Sequence, residues 1–329
     1  MKPQGGFLYI ILACLLVLGL ATPAAAQQVV RWGHLFPTTH FQHVASVKLA
    51  DLVAQKTGNK FKIEIFPASQ LGSEKEMTEQ VRSGAIQIHV SGGAIHQYVP
   101  ELQLTALPGL WKSHDHVLRV VRSDIGRQLM DMVERKNVGI KVLTFLTTGE
   151  REFMGRKKAV KQTEEFAGIK IRVDTAPASA WIWRAVKANP IPIAFAEVYS
   201  SLQTGVIDAA EQPPCGALAM KFHEQAKYIT LTAHQFTVQA FMVNQKWYDG
   251  LSADVRGQLK AAIDEWLPSA YELAKEAEAD CLAKMKQLGA EVNTLQDPDK
   301  FRAALTPIQK EFGDKYNLND LIARINAVP

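Results

Sequence analysis

The stretch that decides the fold runs from Gly168 to Pro214. It opens Gly168-Ile-Lys-Ile-Arg-Val173, passes through a helical segment, and continues Glu197-Val-Tyr-Ser-Ser-Leu-Gln-Thr-Gly205-Val-Ile-Asp208 before closing on Glu211-Gln-Pro-Pro214. Its second half occurs twice. Glu76-Met-Thr-Glu-Gln-Val-Arg-Ser-Gly84-Ala-Ile-Gln87 pairs Met77 with Val198, Val81 with Leu202, Ser83 with Thr204, Gly84 with Gly205 and Ile86 with Ile207. Each copy spells a helix, a glycine stop and a strand, because glycine adopts the left-handed conformation that ends a helix without steric cost.

The match extends upstream. Val29–Trp32, a helix over Phe41–Lys56 and Phe61–Phe66 precede the first copy; Ile169–Val173, a helix over Pro177–Ala188 and Pro190–Ile193 precede the second. Each copy is therefore a βαβαβ unit, and a repeated unit of this kind predicts parallel sheets covered by helices on both faces. Two units predict an α/β protein of two lobes with a crevice between them. Ligands of open parallel sheets sit beyond the carboxyl ends of the strands, at the switch in strand order.

The N-terminus carries an export signal in its pattern: Lys2, an uncharged apolar run over Phe7–Leu20, and small residues at Ala24-Ala25-Ala26 that predict a signal peptide of residues 1–26 and a mature chain from Gln27. No later segment has the ~20 apolar residues a membrane-spanning helix needs. Cys215 and Cys281 could pair outside the cytoplasm, but one bridge in a chain of 329 residues is no stapled scaffold, so two unpaired thiols are the expectation. The net charge of +4 comes without a Lys/Arg block or interleaved aromatics, so nucleic acid is not an expected partner.

Between and after the repeats, a helix is expected over Asp115–Lys136, with Ser113 before it as a cap. Gly139–Leu146 is a β-rich run ending in Thr147-Thr-Gly149, a crossing between lobes; Gln239–Val243 is a second. Paired crossings make a hinge. Ser252 opens a long helix through Leu288, with Gly289 as its stop and Pro268 expected to kink or interrupt it. Ala290–Leu295 reads as a strand, Asp297-Pro298 as a helix start, and Leu318–Ile325 as a final amphipathic stretch.

Catalytic signatures are absent: no Gly-x-Ser-x-Gly, His-Glu-x-x-His, phosphate loop or paired Cys-x-x-Cys occurs. His114-Asp115-His116 reads as helix-start polarity, since two ligands alone hold no metal. No metal and no cofactor are expected. Arg172 stands out, near the carboxyl end of its strand on the face opposite Ile171 and Val173. A guanidinium grips a carboxylate with two charge-assisted bonds and stays charged when desolvated; a surface salt bridge is the competing explanation. Arg151, at the first crossing, and His34, just past a strand end, are further cleft candidates. Phe153, Trp181, Trp183, Phe195 and Trp111 cluster near the opening; core packing accounts for most, and their density leans slightly toward a hydrophobic or aromatic ligand.

At these residues the chain resembles the solute-binding subunits of tripartite ATP-independent periplasmic (TRAP) transporters, the dicarboxylate-binding type. The likeness runs from Val30 to Leu288, through Phe66-Pro-Ala-Ser-Gln-Leu-Gly72, Gln103–Pro108 with Trp111, Gly149-Glu-Arg151, Gly168–Val173, Glu197-Val-Tyr199, Gly205–Asp208 and Glu211-x-Pro213. The resemblance implies a non-catalytic periplasmic receptor that closes on a small organic acid and delivers it to integral membrane subunits driven by an ion gradient. It implies that Arg172 pairs with the ligand carboxylate and that Arg151 adds a contact. Where the family often has asparagine between glutamate and proline, this chain has Gln212, one methylene longer. Gln70 and Trp111, inside matched motifs, complete the expected binding set with His34. The implied fold is a two-lobe periplasmic binding protein with hinge strands and a long shared helix: lobe I is residues 27–148 plus about 238–277, lobe II 149–237 plus about 278–329, and the protein a monomer. Presentation of a ligand to a sensor kinase, or hydrolysis of a small acid, are the alternatives from other classes.

Overall fold

The computed structural model describes residues 27–329; the expected signal peptide lies outside the described residues. The first βαβαβ unit forms as β1 (Gln28–Gly33), α1 (Phe41–Lys56), β2 (Phe61–Phe66), α2 (Glu74–Ser83) and β3 (Ile88–Ser91). Alternation in β1 buries Val30 and Trp32 and exposes Arg31. Ser73 and Glu76 form a reciprocal capping box at the start of α2, and Gly84 ends it at φ 87°. β1 lies between β2 and β3, parallel to both.

A pair of helices follows, α3 (His114–Arg122) and α4 (Asp124–Lys136), where the sequence predicts one. Ser123 makes the break: its hydroxyl accepts the Ile125 N–H at 3.1 Å while donating to the Val120 carbonyl at 2.7 Å. A serine competes with the helix ladder in this way, and the hydrophobic period runs on undisturbed across the break.

β4 (Ile140–Gly155) then leads into the second unit, β5 (Lys170–Val173), α5 (Pro177–Ala185), β6 (Asn189–Pro192), α6 (Val198–Thr204) and β7 (Ala209–Gln212). Again the first strand sits parallel between the other two, and Gly205 ends α6 at φ 80° as Gly84 ends α2. Short helices α7 (Pro214–Ala219) and α8 (Phe222–Gln225) precede β8 (Tyr228–Asn244).

β4 and β8 run past the segments Gly139–Leu146 and Gln239–Val243 read from the sequence, into both halves of the molecule. They pair antiparallel from Ile140↔Asn244 to Gly155↔Tyr228. At one end β3 adds to β8; at the other β7 adds to β4, giving the order β2-β1-β3-β8-β4-β7-β5-β6. The two repeats are thus halves of one sheet, and within that sheet the β4–β8 pair stands between them. The ladder shifts register at Val142/Thr144, Thr147/Gly149 and Arg151/Phe153. Bulges bend and twist a strand locally, and Gly149 supplies the positive φ of 98°.

α9 (Gln245–Asp249) leads to α10 (Ala253–Gln287), the long helix shared by both lobes. The helix is not interrupted at Pro268. Burial of Trp266, Leu267, Ala270 and Tyr271 on either side of the proline holds it, with the Trp266 indole donating to the Ala45 carbonyl at 2.8 Å and the Tyr271 hydroxyl to the Phe145 carbonyl at 2.9 Å. Further along, Cys281 meets Cys215 of α7 in a disulfide, so the expectation of two unpaired thiols was wrong. Their Cα atoms, 66 residues apart in the chain, stand 5.0 Å apart, inside the reach of a bridge; no sequence spacing reveals that. β9 (Glu291–Thr294) pairs with β8. α11 (Pro298–Tyr316) packs Phe312 on Trp181 of α5, while α12 (Asn319–Ala327) returns to the first lobe, where Arg324 pairs with Asp124 at 2.6 Å. Among the described residues no helix is long and apolar enough to cross a membrane.

Candidate functional site

The crossing strands put a cavity of about 40 Å³ between the lobes. Leu35, Phe36, Glu74, Gly92 and Gly93 line it from the first lobe, Arg172, Asp174, Phe195 and Gln212 from the second, and Thr148, Arg151, Thr237 and Gln239 from β4 and β8. The lobes touch around it. Phe36 and Phe195 meet edge to face at 5.4 Å. A side chain at Gly93 would place its Cβ 2.9 Å from the Ala176 backbone nitrogen, so only glycine permits this approach.

β7 lies between β4 and β5, which brings Arg151 and Arg172 to the same cavity from either side. Arg151 is paired. Its Nη2 donates to Glu211 Oε1 at 2.7 Å, its Nε also donates to that carboxylate, and further bonds reach the Glu211 carbonyl at 3.1 Å and Gln212 Oε1 at 3.2 Å. Burial works against the Arg151 charge, but Glu211 outweighs it and its pKa rises. Burial likewise opposes the Glu211 charge, yet Arg151 and His234 hold that carboxyl down to about 2.

Arg172 is different. Its Nε donates to the Ile193 carbonyl at 3.0 Å and its guanidinium lies 5.8 Å from the Phe195 ring centre, but among the described residues its two terminal nitrogens make no hydrogen bond and no carboxylate lies within salt-bridge distance. Only 3% of the residue is exposed. Burial lowers its pKa, with Glu211 and Asp174 pulling the other way. A buried guanidinium with an open fork has the geometry to take two hydrogen bonds from a carboxylate.

Two acids face this cation. Glu74, first residue of α2, accepts on Oε1 from the Ser91 hydroxyl at 2.9 Å and the Gly92, Gly93 and Ala94 N–H groups at 2.7, 2.8 and 3.1 Å. Burial would raise its pKa, but these donors and His89 lower it. Asp174 accepts the Ala176 N–H at 2.9 Å and stands 3.8 Å from Arg151 Nη1; burial pushes its pKa up despite Arg151.

Arg172, Arg151 and Gln212 thus come together at the cavity. The extra methylene of Gln212 is accommodated by Gly216, where a Cβ would stand 2.4 Å from the amide nitrogen. The remaining candidates lie elsewhere. Trp111 is packed in the first lobe with its indole N–H on the Leu104 carbonyl at 3.2 Å. Gln70 is exposed on the loop after β2. His34 is buried beside His43, ring nitrogens 3.0 Å apart, and burial with His43 lowers its pKa to about 3; its neighbours Leu35 and Phe36 reach the cavity instead. Glu74, Asp174, Thr237 and Gln239 escaped sequence reading: Glu74 looks like helix-start polarity, and the others carry no motif. The lining is mostly polar, with only Phe36 and Phe195 aromatic, which does not follow the lean toward an aromatic ligand.

A profile described as "Bacterial extracellular solute-binding protein, family 7" matches residues 32–315. The chain belongs to this family. A 2,3-diketo-L-gulonate-binding periplasmic protein of Escherichia coli (strain K12) is 32% identical over 88% of this chain and 89% of that protein. A C4-dicarboxylate-binding periplasmic protein of Rhodobacter capsulatus is 28% identical over 94% of each. A crystal structure of a TRAP periplasmic solute-binding protein from Roseobacter denitrificans, with bound β-D-glucuronate, superposes with a TM-score of 0.86 at 28% identity, covering 92% of this chain and all of that one. The family is one of periplasmic solute-binding proteins of TRAP transporters, and the two-lobe fold is shared with it.

Proposed function

We propose that this protein is a periplasmic receptor that closes on a small organic acid and hands it to the membrane subunits of a TRAP transporter. The observation that carries this reading is the open fork of Arg172 inside a cavity walled by both lobes. In the closed receptor the ligand carboxylate takes two hydrogen bonds from that fork. Arg151, held by Glu211, shapes the cavity and presents Gln212. The chain binds and releases without chemistry, acts as a monomer, and reaches its compartment by cleavage of residues 1–26. Relatives that bind 2,3-diketo-L-gulonate, C4-dicarboxylates and glucuronate support a carboxylate as ligand.

Closure is a hinge motion about β4 and β8. We place lobe I at residues 27–148 plus about 238–277 and lobe II at 149–237 plus about 278–329, with α12 reaching back across the boundary. A ligand drives closure only by as much as it binds the closed form better than the open one. The test is thermal stability of the mature protein, stripped of carried-over ligand, against a panel of organic acids. A ligand at ~100 times its Kd adds ~2.7 kcal/mol of stability, which the scan reads as a rise of about 4 °C for a chain of this size. No shift with any acid refutes the carboxylate assignment.

A further inference from the structure

We propose that Glu278 is the pivot of the receptor: its carboxylate ties the bulged strand β4 to helix α3 of the first lobe and so favours the arrangement in which the lobes touch. This rests on the hinge of the receptor reading above and names a positioning residue that sets its balance.

The geometry lies outside the cavity. Thr148 and Arg151 line the cavity, whereas Gly149 and Glu150 between them meet α10. A bulge leaves backbone groups outside the ladder, and beside the Thr147/Gly149 register shift the Glu150 N–H donates to Glu278 Oε1 at 2.7 Å. The other carboxylate oxygen, Oε2, stands 2.8 Å from Nε2 of His114, the first residue of α3. The His114 ring is buried and packs edge to face on Phe236 of β8, with centroids 5.0 Å apart. One carboxylate of α10 thus joins β4 to α3. Gly149 makes room for it: a Cβ there would stand 2.5 Å from Glu278 Oε1, at a φ of 98° that already favours glycine.

On the boundaries proposed above, this junction crosses the lobes. Cys281, about one turn beyond Glu278, is bonded to Cys215 of α7, and Gly216 beside Cys215 packs against Gln212 of the cavity wall. Glu278 therefore travels with the second lobe and His114 with the first. Hydrogen bonds weaken steeply with length and angle, so a carboxylate held by a donor from each lobe fits one setting of the hinge better than its neighbours. The setting it fits is this one, in which Phe36 reaches Phe195 and Gly93 lies against Ala176. Lys275 and Asp115 link the same two helices at 3.0 Å, but both are about half exposed and such pairs contribute little.

The experiment reads the distance between the lobes. Lys48→Cys and Gln203→Cys, exposed positions on α1 and α6, carry spin labels in the mature protein, and double electron–electron resonance is recorded without acid and during titration with D-glucuronate or succinate. Without acid, Glu278→Ala is expected to broaden the distance distribution and move it to longer values. With an acid that shortens the wild-type distance, the concentration needed for half the effect is expected to rise about tenfold. Glu278→Gln keeps an oxygen for the Glu150 N–H and an amide to meet His114, so it is expected to recover most of the wild-type behaviour. His114→Ala is expected to act like Glu278→Ala, and the double variant to be no worse than either alone, because the two side chains work as a unit. A folded Glu278→Ala protein with the wild-type distribution and acid response overturns the proposal and leaves the receptor reading standing. Additive effects of the two alanine variants overturn the junction between His114 and Glu278. If neither acid moves the wild type, that counts against the receptor reading, and the distributions without acid decide the pivot. Should Glu278→Ala not fold, His114→Ala and Glu278→Gln carry the test.

Discussion

Arg151 and Arg172 are buried guanidinium groups on strands either side of β7, and their partners give them different tasks. Arg151 belongs to the fold. Removing it strands Glu211, fully buried, without its counter-ion, and breaking such a pair costs roughly 3–5 kcal/mol. Arg151→Ala should therefore lower the urea midpoint markedly, whereas Arg172→Ala, which removes a charge that burial already opposes, should leave the unliganded protein's midpoint nearly unchanged. The pH dependence has a definite sign. Glu211 is held at about 2 against an ordinary 4.5, so the stability it adds is fully present above 4.5 and is lost as pH falls toward 2. Acid unfolding of Arg151→Ala, followed by circular dichroism, should show a shallower fall across that window; an unaltered acid limb would mean that the Arg151–Glu211 pair is not what holds that carboxyl down.

At the scale of elements, α10 joins the lobes unequally. Its first half packs on α1 and β4, and its second half is bonded covalently to α7 through Cys215–Cys281. Replacing both cysteines by serine, or reducing the bridge, should cost about 2–4 kcal/mol, read as a lower denaturant midpoint; an unchanged midpoint would show that the bridge adds nothing to stability. This bond also marks where sequence reading stops. The βαβαβ repeat was legible because helix stops at Gly84 and Gly205 and the strand alternation are local signals, and α1 and β2 fall where the pattern puts them. The continuity of α10 through Pro268 and the approach of Cys281 to Cys215 depend on what packs against each segment, and the break at Ser123 on hydrogen bonds its hydroxyl makes in place of the helix ladder. The cavity lining divides in the same way. The place of Arg172 there was legible from its position near a strand's end, and that of Arg151 from the crossing that carries it. Glu74 and Asp174 were not, since an acid at a helix start or after a strand looks like ordinary surface polarity until the opposing lobe covers it.

At the scale of the whole molecule, two lobes share one sheet and meet over a cavity whose charge is unbalanced at Arg172. The contact of Phe36 with Phe195 crosses the cleft, and register shifts of β4 and β8 at Thr147/Gly149 and Arg151/Phe153 lie beside the cavity. On the proposed reading, binding and closure are one equilibrium, and a ligand carboxylate on Arg172 favours the closed side. The most direct test is calorimetric titration of wild type and Arg172→Ala with the acid that most stabilises the wild type. Loss of the guanidinium from a buried carboxylate pair costs roughly 3–5 kcal/mol, which at ~1.4 kcal/mol per decade predicts a Kd weakened by about two to four decades. A folded Arg172→Ala protein that loses less than about threefold, under 1 kcal/mol, would contradict the account, because the acid would then be held by something other than the open fork.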